Sequence, residues 1–177
     1  MSVLNNYRHL PFTFLGLDFG MAKMVGSHGF NNVHAIRDRL FYSWNLILHK
    51  ERSKFNVQGS LNVANYRTMF DWNANRNRYV SMEGLVTDGP HELNAQQIQE
   101  YISNYYNDIP AQGIGITFVV ESFNKNHETA YIWPTIFDIA TKQVIYTSRL
   151  AGRAGGMGIR NYWANAVHKV IQGLRAI

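Results

Sequence analysis

Cysteine is absent from the chain. That excludes disulfides, thiolate-bound zinc and a thiol nucleophile. It leaves the compartment open, because cytosolic and exported chains alike can do without cysteine. Charged residues are scarce, 16% of the total against the usual ~25%, and no block of like charge occurs. Only four prolines are present, and no Pro/Gly/Ser-rich linker or internal repeat divides the chain. Residues 1–177 are therefore expected to form a single globular domain. No apolar run approaches the ~18 residues that a membrane helix needs. The opening Met1-Ser2-Val3-Leu4-Asn5-Asn6 has neither the basic nor the apolar region of a signal peptide. The expectation is a cytosolic protein or an exported one whose signal has been removed.

Aromatic residues fill the space that charge leaves. There are ten Phe, ten Tyr and four Trp, and the hydrophobic share is 46%. That much aromatic surface can offset the entropy of ordering a chain, so disorder is not expected. The net charge is +5 and the pI about 9.5, which permits anionic partners. The arginines are scattered and no recognisable nucleic-acid module is present, so there is no strong nucleic-acid signal.

Periodicity supplies the elements. Pro11 to Phe19 is a nearly continuous apolar run, expected to be a strand buried on both faces. Val33, Ile36, Leu40, Phe41, Trp44, Ile47 and Leu48 make one helical stripe, capped by Asn31 or Asn32 and ending near Glu51 to Ser53. Residues 55–86 resist a firm reading: Tyr66 to Trp72 resembles a strand, the asparagine-rich Asn73 to Arg78 a loop, and Tyr79 to Val86 a short extended piece. A second helix is expected from Ala95 to Asn107, with Asn94 and Gln97 as a capping box and Ile98, Tyr101, Ile102 and Tyr105 as its buried stripe. Ile114 to Phe123, Thr129 to Asp138 and Gln143 to Leu150 read as an antiparallel meander, with Pro134 marking an edge or a bulge. The last helix carries Trp163, Ala166, Val167, Val170, Ile171 and Leu174 on one face, with Asn161 as its cap. The expected class is α+β, a mixed α/β fold. Its single sheet of about five strands is mainly antiparallel or mixed and is covered by three helices.

Chemistry has one candidate location. Gly152 to Arg160 joins a strand to the last helix, and its glycines let a ligand approach the backbone. Arg153, Gly155, Gly156, Gly158 and Arg160 are the candidate binders of a small anion or nucleotide. The glycine spacing matches neither a phosphate-binding P-loop nor a dinucleotide fingerprint. A tight loop with positive φ explains the same glycines and is the stronger reading. The seven histidines show no ligand spacing, so no metal and no cofactor is expected. Asp18 and Glu121 stand out because each lies in or beside an apolar strand. No converging catalytic set surrounds either in sequence, and no catalytic residue is assigned. Trp44 and Trp163 belong to the core; among Trp72, Trp133, Tyr105 and Tyr106, an exposed subset would mark a partner surface or a carbohydrate-stacking face.

Three runs in the C-terminal part carry a resemblance. These are Glu121-Ser122-Phe123-Asn124-Lys125, the stretch from Thr135 to Ile145 with its Phe-Asp-Ile-x-Thr element, and Gly152 to Ala164 with Gly-x-Gly-x-Arg-Asn-Tyr-Trp. Together they resemble an uncharacterised family of exported bacterial proteins. The strand pair, glycine-rich loop and helix are also similar to the TolB N-terminal and CsgG-like envelope domains, which act in assembly and protein contacts. The related turn reads Thr-Gly where this chain has Thr141-Lys142. The resemblance implies a periplasmic or envelope-associated protein with its signal peptide removed, the alternative being cytoplasmic. It implies a non-enzymatic domain that binds a protein or an envelope component.

Overall fold

A computed structural model describes residues 2–177. The aromatic run forms strand β1, Phe12–Asp18, buried along its whole length. The short β2, Lys23–Val25, follows it. Asn32 caps the next helix by accepting the Ala35 N–H. That helix runs as α1 (Val33–Ala35), a π-helical stretch at Ile36–Leu40 and α2 (Phe41–Lys50). It buries Ile36, Phe41, Trp44, Ile47 and Leu48, as their spacing predicts.

The middle of the chain departs from expectation. It contains α3 (Val57–Leu61), β3 (Tyr66–Thr68), α4 (Phe70–Asn77) and a two-residue β4 (Val86–Thr87). The asparagine-rich segment read as a loop is thus mostly helix. Asparagine is a weak helix former when solvated, but Asn73 and Asn77, one turn apart, are buried and use their amides on β1. The second long helix, α5 (Ala95–Tyr105), has the capping box of Asn94 and Gln97. Strands β5 (Ile114–Asn124), β6 (Thr129–Asp138), β7 (Val144–Thr147) and β8 (Leu150–Arg153) lead into α6 (Ile159–Gly173). The N-cap of α6 is Gly158, not Asn161, and offers no side-chain cap.

Strand β5 is the spine of the sheet. Its first half pairs with β1 and its second half with β2, both parallel, while β6 runs antiparallel along its other side. Strand β3 extends the β1 level and β4 the β2 level, again in parallel. Strands β7 and β8 lie in tandem on the far edge of β6. The eight strands therefore form two tiers of five across, sharing β5 and β6. The sheet is mixed. The C-terminal strands pair antiparallel, whereas every pair that the N-terminal strands make is parallel, and eight strands stand where about five were expected. The three expected helices become five when α1 and α2 are taken as one, because α3 and α4 lie in the stretch whose polarity hid them. Pro134 falls where β7 has ended and β8 has not begun, a break that tolerates its missing N–H.

Two cores flank the sheet. The larger packs α2, α3, α6 and the N-terminal Leu4 against one face, with Phe19 stacked on Phe41 at 4.0 Å and Phe123 on Trp163 at 4.8 Å. Each such buried ring contributes roughly 2–3 kcal/mol. The smaller packs Ile98 and Ile102 of α5 against Leu15, Val119, Trp133 and Phe137 on the other face.

Bulges decide which residues face α5. Phe12 and Phe14 face the large core, and so do Leu17 and Phe19. Strict alternation forbids that combination; an irregularity between Phe14 and Leu17 permits it. Gly16 sits there with φ of 94°, a left-handed conformation that glycine adopts without strain. The shift turns Asp18 toward α5. In β5 a second irregularity between Val120 and Ser122 leaves Glu121 as the extra residue. Beyond Phe14, β1 lacks a pairing strand on its β3 side. Asn45, Asn73 and Asn77 serve its backbone instead: Asn45 accepts the Leu17 N–H at 2.7 Å, Asn77 accepts the Phe19 N–H at 2.9 Å, and Asn73 donates to the Gly16 carbonyl at 3.0 Å. A buried backbone group left unpaired costs about 1–3 kcal/mol, so these three amides replace a missing strand.

Candidate functional site

Asp18 ends β1 on the α5 face and is almost fully buried. Its Oδ1 accepts the Gly20 N–H at 2.7 Å and the Tyr101 hydroxyl at 2.9 Å. Its Oδ2 accepts the Tyr106 hydroxyl at 2.5 Å, and Arg76 Nη1 stands 3.6 Å away. Hydrogen-bond directions are consistent through the cluster: Asn73 donates to Thr117 Oγ1, Thr117 to the Tyr106 oxygen, and Tyr106 to Asp18. Burial, reinforced by the Asp18 charge, pushes both tyrosine hydroxyls well above their ordinary pKa, so neither ionises near neutrality. The Arg76 guanidinium rests 4.3 Å from the Trp72 ring and 4.6 Å from the Tyr106 ring.

Helix α5 builds this arrangement by ending where it does. Tyr105, expected in the buried stripe, is 61% exposed because the helix stops there; Tyr106 leaves the helical path and swings fully under the sheet. Above Asp18 and Arg76 opens a cleft of about 460 Å3, bordered by Tyr79, Ser81, Tyr101 and Tyr105. Tyr79 is 87% exposed. The cleft lies at the C-terminal end of a parallel strand, where ligands of α/β sheets commonly bind.

Glu121 is the second buried carboxylate. Its Oε1 accepts from Arg149 Nη2 at 2.7 Å and Nε at 3.0 Å, and its Oε2 from the Leu93 N–H and Trp133 Nε1, both at 3.0 Å. Burial works to raise its pKa, but hydrogen bonds from Arg149, Leu93 and Trp133 outweigh that and hold it below the usual carboxylate range. Arg149 in turn lies 4.0 Å from the Tyr131 ring centre. It occupies the break between β7 and β8 and lines a smaller pocket of about 210 Å3 with His91, Ser122 and His127.

Both carboxylates accept from several donors. A general base needs a lone pair aimed at substrate; Glu121 spends both oxygens on protein donors, while Asp18 borders the cleft.

The glycine-rich junction is placed differently from the two clusters. Gly152 is buried because a Cβ there would lie 2.0 Å from the Ala166 carbonyl oxygen, so close helix–strand packing requires it. Gly156 and Gly158 have φ of 109° and 80°. Gly155 meets neither constraint. Arg153 pairs with Glu128 at 3.3 Å in solvent, while Arg160 reaches only Asn161 at 3.5 Å. None of Arg153, Gly155, Gly156, Gly158 or Arg160 lines either cleft described above. Among the described residues no histidine–carboxylate group has the geometry for a metal ion, and no helix is long and apolar enough to cross a membrane.

Reading the sequence singled out Asp18 and Glu121, placed Tyr101 in a buried stripe and named Tyr106 among aromatics of which some could be exposed, although Tyr106 is fully buried; it missed Arg76 and Arg149. These four side chains come from 28 to 88 residues away from the carboxylates they meet, and only the repeated tyrosines at the end of α5 hinted at a cluster. No family model matches the chain, nor does any curated protein or solved structure.

Proposed function

We propose that this chain is a non-enzymatic binding domain of the bacterial envelope, and that the tyrosine-bordered cleft beside Asp18 is its recognition surface. The observation that carries the reading is the pairing of a buried, fully hydrogen-bonded support with two protruding aromatic rings, Tyr79 and Tyr105. Exposed aromatic side chains next to an arginine are characteristic of binding centres. The resemblance to exported bacterial proteins supports the compartment. The test is retention of the purified chain on isolated envelope material. Retention is expected for the parent and not for the Tyr79→Ala/Tyr105→Ala double variant; equal retention of both removes the cleft from the proposal.

A second reading, a small anion or nucleotide at Gly152 to Arg160, has one feature in its favour. Helix α6 begins without a side-chain cap, leaving first-turn N–H groups for an outside acceptor. Thermal-shift measurements with phosphates and nucleotides decide it. A binder raises the midpoint by mass action, and no shift at millimolar ligand ends the reading.

A further inference from the structure

We infer that the cleft beside Asp18 takes a neutral saccharide, a step that rests on the binding reading above. Three observations narrow the ligand class. First, the only cation in the cleft wall, Arg76, already faces the Asp18 carboxylate at 3.6 Å. A phosphate or carboxylate on Arg76 would also meet the buried negative charge of Asp18, and in a partly desolvated site that repulsion is weakly screened. Charge balance favours an uncharged ligand. Second, the guanidinium is held against Trp72 and Tyr106. A fixed guanidinium offers N–H donors at defined angles, which suits hydroxyl oxygens and gives an apolar peptide anchor nothing to bury into. Third, the walls are aromatic and exposed, with Tyr79 and Tyr105 flanking and Tyr101 within 5.2 Å of Tyr105. Flat C–H faces of a pyranose ring pack on such rings, and the ring's hydroxyls reach Arg76 and Ser81. At about 460 Å3 the cleft falls within the ~300–1,000 Å3 of small-molecule sites.

The experiment titrates the intact chain with chitotetraose, cellotetraose, maltotetraose and xylotetraose, with inorganic phosphate alongside, reading tyrosine ring chemical shifts by NMR. At least one saccharide is expected to bind in the millimolar range or tighter. Tyr79→Ala and Tyr105→Ala should each weaken it about fivefold to tenfold, while Tyr79→Phe, which keeps the ring, should leave it nearly intact. Arg76→Gln should abolish binding; the tyrosine variants, being exposed, keep the test valid even where that variant is unstable. No response to any of the four sugars at ~10 mM, binding indifferent to both tyrosines, or a preference for phosphate would each overturn the inference. If the sugars fail while envelope retention still depends on Tyr79 and Tyr105, and is lost when the envelope material is treated with protease, the ligand is a protein. The saccharide class then falls and the binding reading stands.

Discussion

Asp18 and Glu121 are buried carboxylates in two neighbouring strands, yet they are satisfied in different ways. Each lies at or just beyond an irregularity, and each is turned to the α5 face. Asp18 is held by neutral donors, two tyrosine hydroxyls and a backbone N–H, with its arginine at 3.6 Å. Glu121 is held by an arginine in direct contact. The difference lies in the neighbours. Tyr101 and Tyr106 come from the well-packed end of α5, which seals Asp18 beneath a cleft. Arg149 comes from an interrupted edge strand and remains partly solvated, its side chain 37% exposed.

The largest expected effect separates the two halves of the ion pair. Arg149→Met strands a fully buried glutamate and should destabilise the domain by about 3–5 kcal/mol. Glu121→Gln strands only an arginine that can turn to water, and about 1–3 kcal/mol is expected. Urea denaturation of both variants checks the order, and equal losses would break the asymmetry. Asp18→Asn should cost about 1–3 kcal/mol in the same assay, because the amide nitrogen has no acceptor among donors already pointing at it. The pH dependence sharpens the contrast. The folded-state pKa of Glu121 is lowered, so its contribution is fully present above the unfolded value of about 4.3 and is lost as pH falls through the lower folded value. The stability gap between the parent and Glu121→Gln should therefore be constant near neutrality and narrow as pH falls below about 4.3; a gap that does not narrow on acidification contradicts the assignment. The smallest effect belongs to the cleft rim. Tyr79→Ala should change stability by no more than about 0.5 kcal/mol, so any loss of binding it causes is not a folding defect.

Much of the fold was legible because its signals are local. The stripes of α2 and α6, the capping box of α5 and the apolar run of β1 all appear where periodicity puts them. Helix α4 was illegible because its asparagines are helical only by virtue of what they bond. Asn73 and Asn77 read as loop formers until β1 offers them its unpaired backbone. The parallel half of the sheet was equally hidden, since β1 and β5 are about a hundred residues apart and no turn records their pairing. Of the candidate site, the two carboxylates announced themselves as charges in apolar strands, while their partners did not.

By itself, the sequence determined that this chain folds without disulfides around an aromatic core, because composition and periodicity act over a few residues at a time. It also determined where the backbone must take unusual conformations: Gly16, Gly156 and Gly158 hold positive φ. Lys142 does so too, at 66°. Only the tertiary structure decided which face each carboxylate meets and what meets it there. A shift of one residue in a strand exchanges its two faces; such a shift brought Asp18 to the side of α5, and another carried Phe123 to the large core just past Glu121, which shares the α5 face with Val119. The cleft is a product of that register, and register is a property of paired strands rather than of any one of them.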